Sequence, residues 1–278
     1  VPNTAIVSKI ISLPVHTTTP NHIAEQTDRV VVEEPLEIRV AHGSGHRRQQ
    51  LSVAVTMRTP GEDEDLALGF LFTEGVVQRA DQVQAVHYLS ENVLLLDIAA
   101  SVAVDAARLT RHVFTSSSCG VCGKASLEAV QTVSCYYPRP HYPLFSRDVL
   151  FRLPHLLRQR QTTFETTGGL HASALFDATG QLVLLREDVG RHNATDKVLG
   201  AALRQGEELP LRHYLLLVSG RASFELVQKA AMAGVPCLAA VGAPSHLAVE
   251  MAQNSGMTLV GFLREERCNI YSHPERIT

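Results

Sequence analysis

The sequence lacks a large excess of either charge. Lys plus Arg number 25 and Asp plus Glu 28 in 278 residues, a formal net charge of −3. This balance excludes a strongly basic nucleic-acid tail, and 45% hydrophobic residues argue against general disorder. Charged residues are few, at 19%. Cysteine is also sparse, with residues at 119, 122, 135, 237 and 268. An odd count is a poor disulfide scaffold and fits a reducing compartment, so a cytoplasmic protein is expected. Long apolar runs are missing too. Residues 230–249 carry no formal charge, but Gly234, Pro236, Gly242 and Pro244 make them a poor lipid-facing helix. Residues 1–15 hold one basic residue, Lys9, and no long apolar core, so neither a signal peptide nor a membrane span is expected.

What is present reads as an α/β chain. Its length suits one to two domains with a sizeable core. Residues 1–25 read as an arm, 26–111 as a small α+β domain, 112–145 as a cysteine loop and connection, and 146–278 as a larger domain. Pro35 interrupts the apolar alternation of 29–40, which points to an edge strand or a bulge. Thr59 and Pro60 suggest a helix start, Leu66, Ala67, Phe70 and Leu71 one apolar face, and Gly75 the helix end. Residues 83–89 and 93–98 read as paired strands. In the second half, 172–176 and 181–185 flank a turn at Asp177-Ala178-Thr179-Gly180. Strands at 214–218, 237–241 and 258–263 alternate with helices at 224–233 and 247–254, which favours a parallel sheet with binding space beyond its carboxyl ends.

Cys119-Gly120-Val121-Cys122-Gly123 is the sharpest chemical feature. Structural zinc needs about four ligands, and no second Cys-x-x-Cys exists. A dithiol redox motif and plain buried thiols are further readings. Sulfur handling is favoured, because a thiolate can take sulfur from a donor and a glycine-rich loop can carry it between two sites. Cys119 is the expected carrier. Cys122 lies nearer the following helix, where a thiolate is also favoured.

Three segments suit an anionic ligand. Thr167-Gly168-Gly169 permits close backbone approach and leads to His171. Asp188, Gly190, Arg191 and His192 enter a helix on which His192 and Asp196 lie one turn apart. Ser219-Gly220-Arg221 and Ser223 lie between a strand and a helix, where amides and an arginine can hold phosphate. Ordinary structural or solvated roles remain open for each. No full Walker or dinucleotide fingerprint is present.

Taken together, these residues resemble the formate dehydrogenase accessory protein family, the FdhD-type sulfurtransferases. The resemblance rests on the segments 67–75, 119–123, 187–194, 219–223 and 271–274, in this order. It implies an adaptor that receives persulfide sulfur from a cysteine desulfurase. The adaptor passes that sulfur to the molybdenum bis-guanine-dinucleotide cofactor destined for formate dehydrogenase. It further implies a cytidine deaminase-like C-terminal domain, a homodimer, a site that accepts GDP as a partial mimic, and no structural zinc. The paired cysteines carry over to Cys119 and Cys122, and the nucleotide-facing segments to residues within 167–171, 188–192 and 219–223. Arg221 is expected on phosphate, and Asp188 is a candidate acceptor for the guanine N1 and N2 donors. Ser173 stands where a deaminase would carry its glutamate, and no Pro-Cys-x-x-Cys follows at helix spacing, so deaminase activity is rejected. The competing class is a cofactor-binding chaperone that uses its cysteines only for docking.

Overall fold

The computed structural model describes residues 8–105 and 136–278. It begins with a hairpin of β1 (Ile10–Thr19) and β2 (His22–Val31), paired from Ile10↔Val31 to Thr19↔His22 around a Pro20-Asn21 turn. Isoleucine, valine and threonine suit these strands, although most of their side chains are exposed. The hairpin runs past residue 25, where the arm was expected to end.

β3 (Glu34–His42), β4 (Gln49–Arg58), β5 (Val83–Ser90) and β6 (Val93–Ile98) form a sheet in the order β4-β3-β6-β5. β3 is therefore central, which corrects the edge-strand expectation. Pro35 is tolerated because pairing with β6 starts only at Glu37, beyond the missing N–H. The expected irregularity does occur, as a register shift against β4 between Ile38 and Arg39.

α1 (Asp63–Thr73) begins later than Thr59 suggests, with Glu62 at its cap position and no side-chain cap. Gly75, with φ 73°, follows its end as expected. Its apolar surface is not one face. Leu66, Ala67, Leu68, Leu71 and Phe72 are all buried, because sheet residues and α4 (Arg191–Arg204) enclose the helix. The crossing is close. A Cβ on Gly69 would meet the Asp196 carbonyl oxygen at 1.9 Å, and one on Gly200 the Asp65 carbonyl oxygen at 1.9 Å.

The second sheet has the order β12-β11-β10-β9-β7-β8. β7 (His171–Asp177) and β8 (Leu182–Asp188) are the expected hairpin, with the Asp177 carboxylate accepting from the Thr179 and Gln181 amides. β9 (Tyr214–Val218), β10 (Cys237–Ala240) and β11 (Thr258–Gly261) are parallel, as expected. β7 runs antiparallel to β9, and β12 (Asn269–Ser272) antiparallel to β11. α5 (Phe224–Met232) and α6 (His246–Asn254) connect the parallel strands and, with α4, cover one sheet face.

α2 (Arg147–Arg160) covers the other face, packing Leu150, Leu153 and Leu157 near Ala172, Ala174, Phe176 and Leu217. Each such buried side chain contributes about 1.5–3 kcal/mol relative to exposure. A short α3 (Thr162–Thr167) follows. One continuous core joins the four-stranded sheet, α1, α4 to α6 and the inner face of the six-stranded sheet. No helix among the described residues is long and apolar enough to cross a membrane.

Candidate functional site

The carboxyl ends of β8, β9 and β10 lie beside the amino end of β7, since His171 pairs with Asp188 and Ser173 with Val218. The same sheet end carries the entrances of α4, α5 and α6. Backbone bonds lace the loops there: Gly242 N–H donates to Gly220 O at 2.8 Å, and Ser245 N–H to Ala222 O at 3.0 Å. A Cβ on Gly242 would lie 2.9 Å from the Arg221 backbone, so this lacing requires glycine.

Beneath the loops is a closed polar ring. Asp188 is 0% exposed and pairs with Lys197 Nζ at 2.8 Å; Lys197 is also fully buried. The carboxylate accepts further bonds from Gly190 N–H at 2.8 Å, Thr59 N–H at 3.1 Å and Asn193 Nδ2 at 3.1 Å. Lys197 donates to the Thr59 carbonyl at 2.9 Å, and the Thr59 hydroxyl accepts from Val189 N–H at 3.1 Å. Thr59 thus fastens the β8–α4 turn rather than capping α1. Asp188, the expected candidate for a guanine acceptor, faces inward, and its oxygens are taken up by the chain. Asp196 also turns inward, binding Lys229 and Thr73 at 2.9 Å.

The same sheet end borders a cleft of about 510 Å³, lined by residues that include Leu157, Gln161, Phe164, Gly168, Gly169, His171 and Ser219. Glu187 builds one wall by accepting the Thr163 and Phe164 amides at 3.1 and 2.9 Å, which fixes the start of α3. Thr167 spends its hydroxyl on the Thr163 carbonyl at 2.9 Å. Ser219 Oγ accepts from Ala172 N–H at 2.9 Å. Gly220 lies against His171: a Cβ there would sit 3.3 Å from Nδ1. Burial, reinforced by Arg191 and His192, holds the His171 imidazole below its ordinary pKa. His192 Nε2 approaches Glu225 at 2.7 Å and Ser223 Oγ at 3.2 Å. Arg221 is exposed, and the buried Nε of Arg191 has no hydrogen-bond partner among the described residues.

The three expected anion segments therefore converge, while Asp188 supports them from below. Cys119 and Cys122 lie outside the described residues. Of the described cysteines, Cys237 is buried and its thiol pushed up to about 12; burial also raises Cys268. Both shifts disfavour a thiolate. Among the described residues, no cluster of three or more His, Cys, Asp or Glu could hold a metal.

Sequence reasoning missed Gln161, Phe164 and Arg158, whose guanidinium lies 4.0 Å from the Phe164 ring centre. It also missed a neighbouring cleft of about 640 Å³ that shares Pro154 and Arg158 and is lined by Arg264 and Arg267. Only the charged run 264–267 signalled that cleft, and such runs ordinarily read as solvated surface.

A model described as the FdhD/NarQ family matches residues 31–278. "Sulfur carrier protein FdhD" of Mycolicibacterium paratuberculosis is 52% identical over 259 residues, spanning 90% of this chain and 92% of that protein. The protein of the same name from Sulfurisphaera tokodaii is 41% identical over 254 residues, spanning 91% and 93%. A crystal structure described as a formate dehydrogenase accessory protein from Desulfotalea psychrophila matches with TM-score 0.75 at 24% identity, covering 98% of this chain and 100% of that one, a likeness of fold. By the family match and these identities, the chain belongs to the FdhD/NarQ family.

Proposed function

We propose that the protein is a sulfur carrier that takes persulfide sulfur from a cysteine desulfurase and delivers it to the molybdenum bis-guanine-dinucleotide cofactor, in service of formate dehydrogenase. Within its family, the observation that carries this reading is the sheet end beside the cleft. Three helix entrances, the exposed Arg221 and the buried Arg191 Nε, which has no hydrogen-bond partner among the described residues, gather at the sheet end whose His171 and Ser219 line the cleft, an arrangement suited to an anionic ligand. The cofactor is cargo, and its nucleotide ends supply the negative charge.

In the first step the Cys119 thiolate attacks the outer sulfur of the donor persulfide. The donor S–S bond breaks, the donor thiolate leaves, and Cys119 becomes a persulfide. In the second, the Cys122 thiolate attacks the inner sulfur of Cys119. A disulfide forms and the outer sulfur departs as a sulfide equivalent for the metal; a thiol reductant then restores both cysteines. Sulfur suits the soft metal.

The six-stranded unit serves as a deaminase-like frame, a reading supported by a hairpin leading into three parallel strands. Deaminase chemistry is not part of the proposal, and the Ser173 hydroxyl lies 2.8 Å from the Thr195 hydroxyl in the core. The working form is taken as a homodimer, which sedimentation equilibrium tests.

Incubation with desulfurase and cysteine should add one sulfur, about 32 Da, and Cys119→Ser should remove the adduct. An unloaded parent chain beside an active desulfurase would favour a docking-only chaperone. Equal loading of Cys119→Ser would move the carrier role to another cysteine.

A further inference from the structure

Gln161 stands at the corner between α2 and α3, 4% exposed, and it lines the 510 Å³ cleft. Its backbone is fully used: its N–H donates to Arg158 O at 3.3 Å and its carbonyl accepts from Glu165 N–H at 2.9 Å. Its side chain is different. Nε2 is buried and has no hydrogen-bond partner among the described residues. A buried amide without a partner loses its hydration and gains nothing in return. The corner that carries it is held in place, because Glu187 accepts from the Thr163 and Phe164 amides and Arg158 lies over Phe164.

The surroundings suit a flat ring. Leu157, Phe164, Leu170 and Pro154 supply apolar wall, and beside them the buried Gln161 Nε2 has no hydrogen-bond partner among the described residues. Apolar walls accept the faces of a heterocycle, while a carboxamide offers one donor end and one acceptor end to its edge. A guanine edge presents O6 as acceptor beside N1–H as donor, the complement of that pair. Rotation of the amide about its last bond exchanges the two ends, so the group can meet this edge in the required sense. With Asp188 fully engaged by the chain, the base-reading role falls vacant, and Gln161 lines the cleft with a donor that has no partner among the described residues.

We propose that Gln161 is a base-contacting residue which hydrogen-bonds the edge of the guanine base in the cleft between α2, α3 and β7. This rests on the proposed nucleotide-bearing cargo and names the side chain that reads it. Phosphate is held separately, at the helix entrances.

The test uses the full chain, with calorimetry on GDP, ADP and pyrophosphate as probes. Gln161→Met keeps the length of the side chain and removes both polar ends. GDP affinity should fall about tenfold or more, pyrophosphate affinity should hold, and the melting temperature without ligand should stay or rise, since the buried Nε2 has no bond to lose among the described residues. Gln161→Glu keeps the shape but only accepts, so it should weaken ADP more than GDP and raise the GDP-to-ADP preference. Parent-like GDP binding by Gln161→Met would overturn the assignment. So would a parallel loss of pyrophosphate binding, or a marked fall in melting temperature, either of which makes Gln161 a structural corner. A parent chain that binds pyrophosphate but no GDP would instead defeat the guanine-nucleotide reading of the site itself.

Discussion

The polar groups beneath the cleft and those around it obey opposite rules. Below, Asp188, Lys197, Thr59 and Asn193 satisfy one another in a closed ring with no solvent exposure at the two charges. Around the rim, Gln161 and Arg191 each carry a buried donor without a partner among the described residues, and Arg221 extends into solvent. The ring resists change because removing any member leaves a buried group unpaired. The rim invites change because its bonds are not yet made. A charged residue in a ligand-like motif is thus not thereby a ligand contact. Asp188 and Arg191 are three residues apart, yet one fixes the turn and the other is free to meet an anion.

The largest expected effect breaks the ring. Lys197→Met would strand the Asp188 carboxylate in a dry interior, at a cost of about 3–5 kcal/mol in urea unfolding. It should weaken nucleotide binding as well, because the turn that presents Gly190 and Arg191 loses its anchor. Asp188→Asn should also lower stability, without favouring adenine over guanine nucleotide. The double variant should lose less than the sum of the two singles, since each single change already abolishes the same pair. Strict additivity would show that the two groups do not act together. Selective loss of guanine binding in a stable Asp188→Asn protein would return the base-reading role to Asp188.

A smaller effect is expected on the rim. Arg221→Ala removes an exposed guanidinium, so its stability should stay within about 0.5 kcal/mol of the parent. Its affinities for GDP and ADP should fall together, roughly tenfold if the guanidinium makes a well-formed phosphate contact. Calorimetry beside an unfolding curve separates the two regions: ring variants lose stability and binding together, and rim variants lose binding alone. Unchanged GDP binding in Arg221→Ala would remove that residue from the phosphate site.

Sequence reasoning reached much of the second half because its signals are local. Asp177 and Gly180 make their own turn, and strands such as Tyr214–Val218 are unbroken apolar runs between polar segments. The same reasoning failed where a distant partner decides. α3 is a short run of mostly polar residues, with its first amides held by Glu187 from more than twenty positions away. Pro35 argues for an edge until the late start of β6 pairing is known. Thr59 looks like a helix cap in its own neighbourhood, yet it serves a turn about 130 residues later. The three anion segments were legible as glycine, serine and arginine between regular elements. Their convergence needed the β7–β9 antiparallel pairing, and the inward aim of Asp188 needed Lys197. Gln161 carried no signal at all, since an amide between two helices is ordinary until its lack of a partner is seen.

The smallest expected effect lies in the charge of the rim. His171 is held below its ordinary pKa by burial, with Arg191 and His192 adding like charge and Asp188 opposing them. The unfolded chain, titrating near the reference value of about 6.5, therefore binds more protons than the folded chain just below that pH. Unfolding free energy consequently rises with pH in this window. The penalty is absent well above pH 6.5 and grows as pH falls toward the lowered folded value. His171→Gln should flatten the slope of stability against pH between about pH 6.5 and 5, by less than one proton equivalent. A bound nucleotide should act in the same direction. Its phosphates would relieve the repulsion among His171, His192 and Arg191, so GDP should gain affinity on acidification in the parent relative to His171→Gln. Comparing the two proteins at each pH cancels the titration of the phosphate itself. Identical pH dependence of stability in the two proteins would show that the folded state does not disfavour the charged imidazole. A parent that gains nothing in GDP affinity over His171→Gln would place the phosphates away from this histidine.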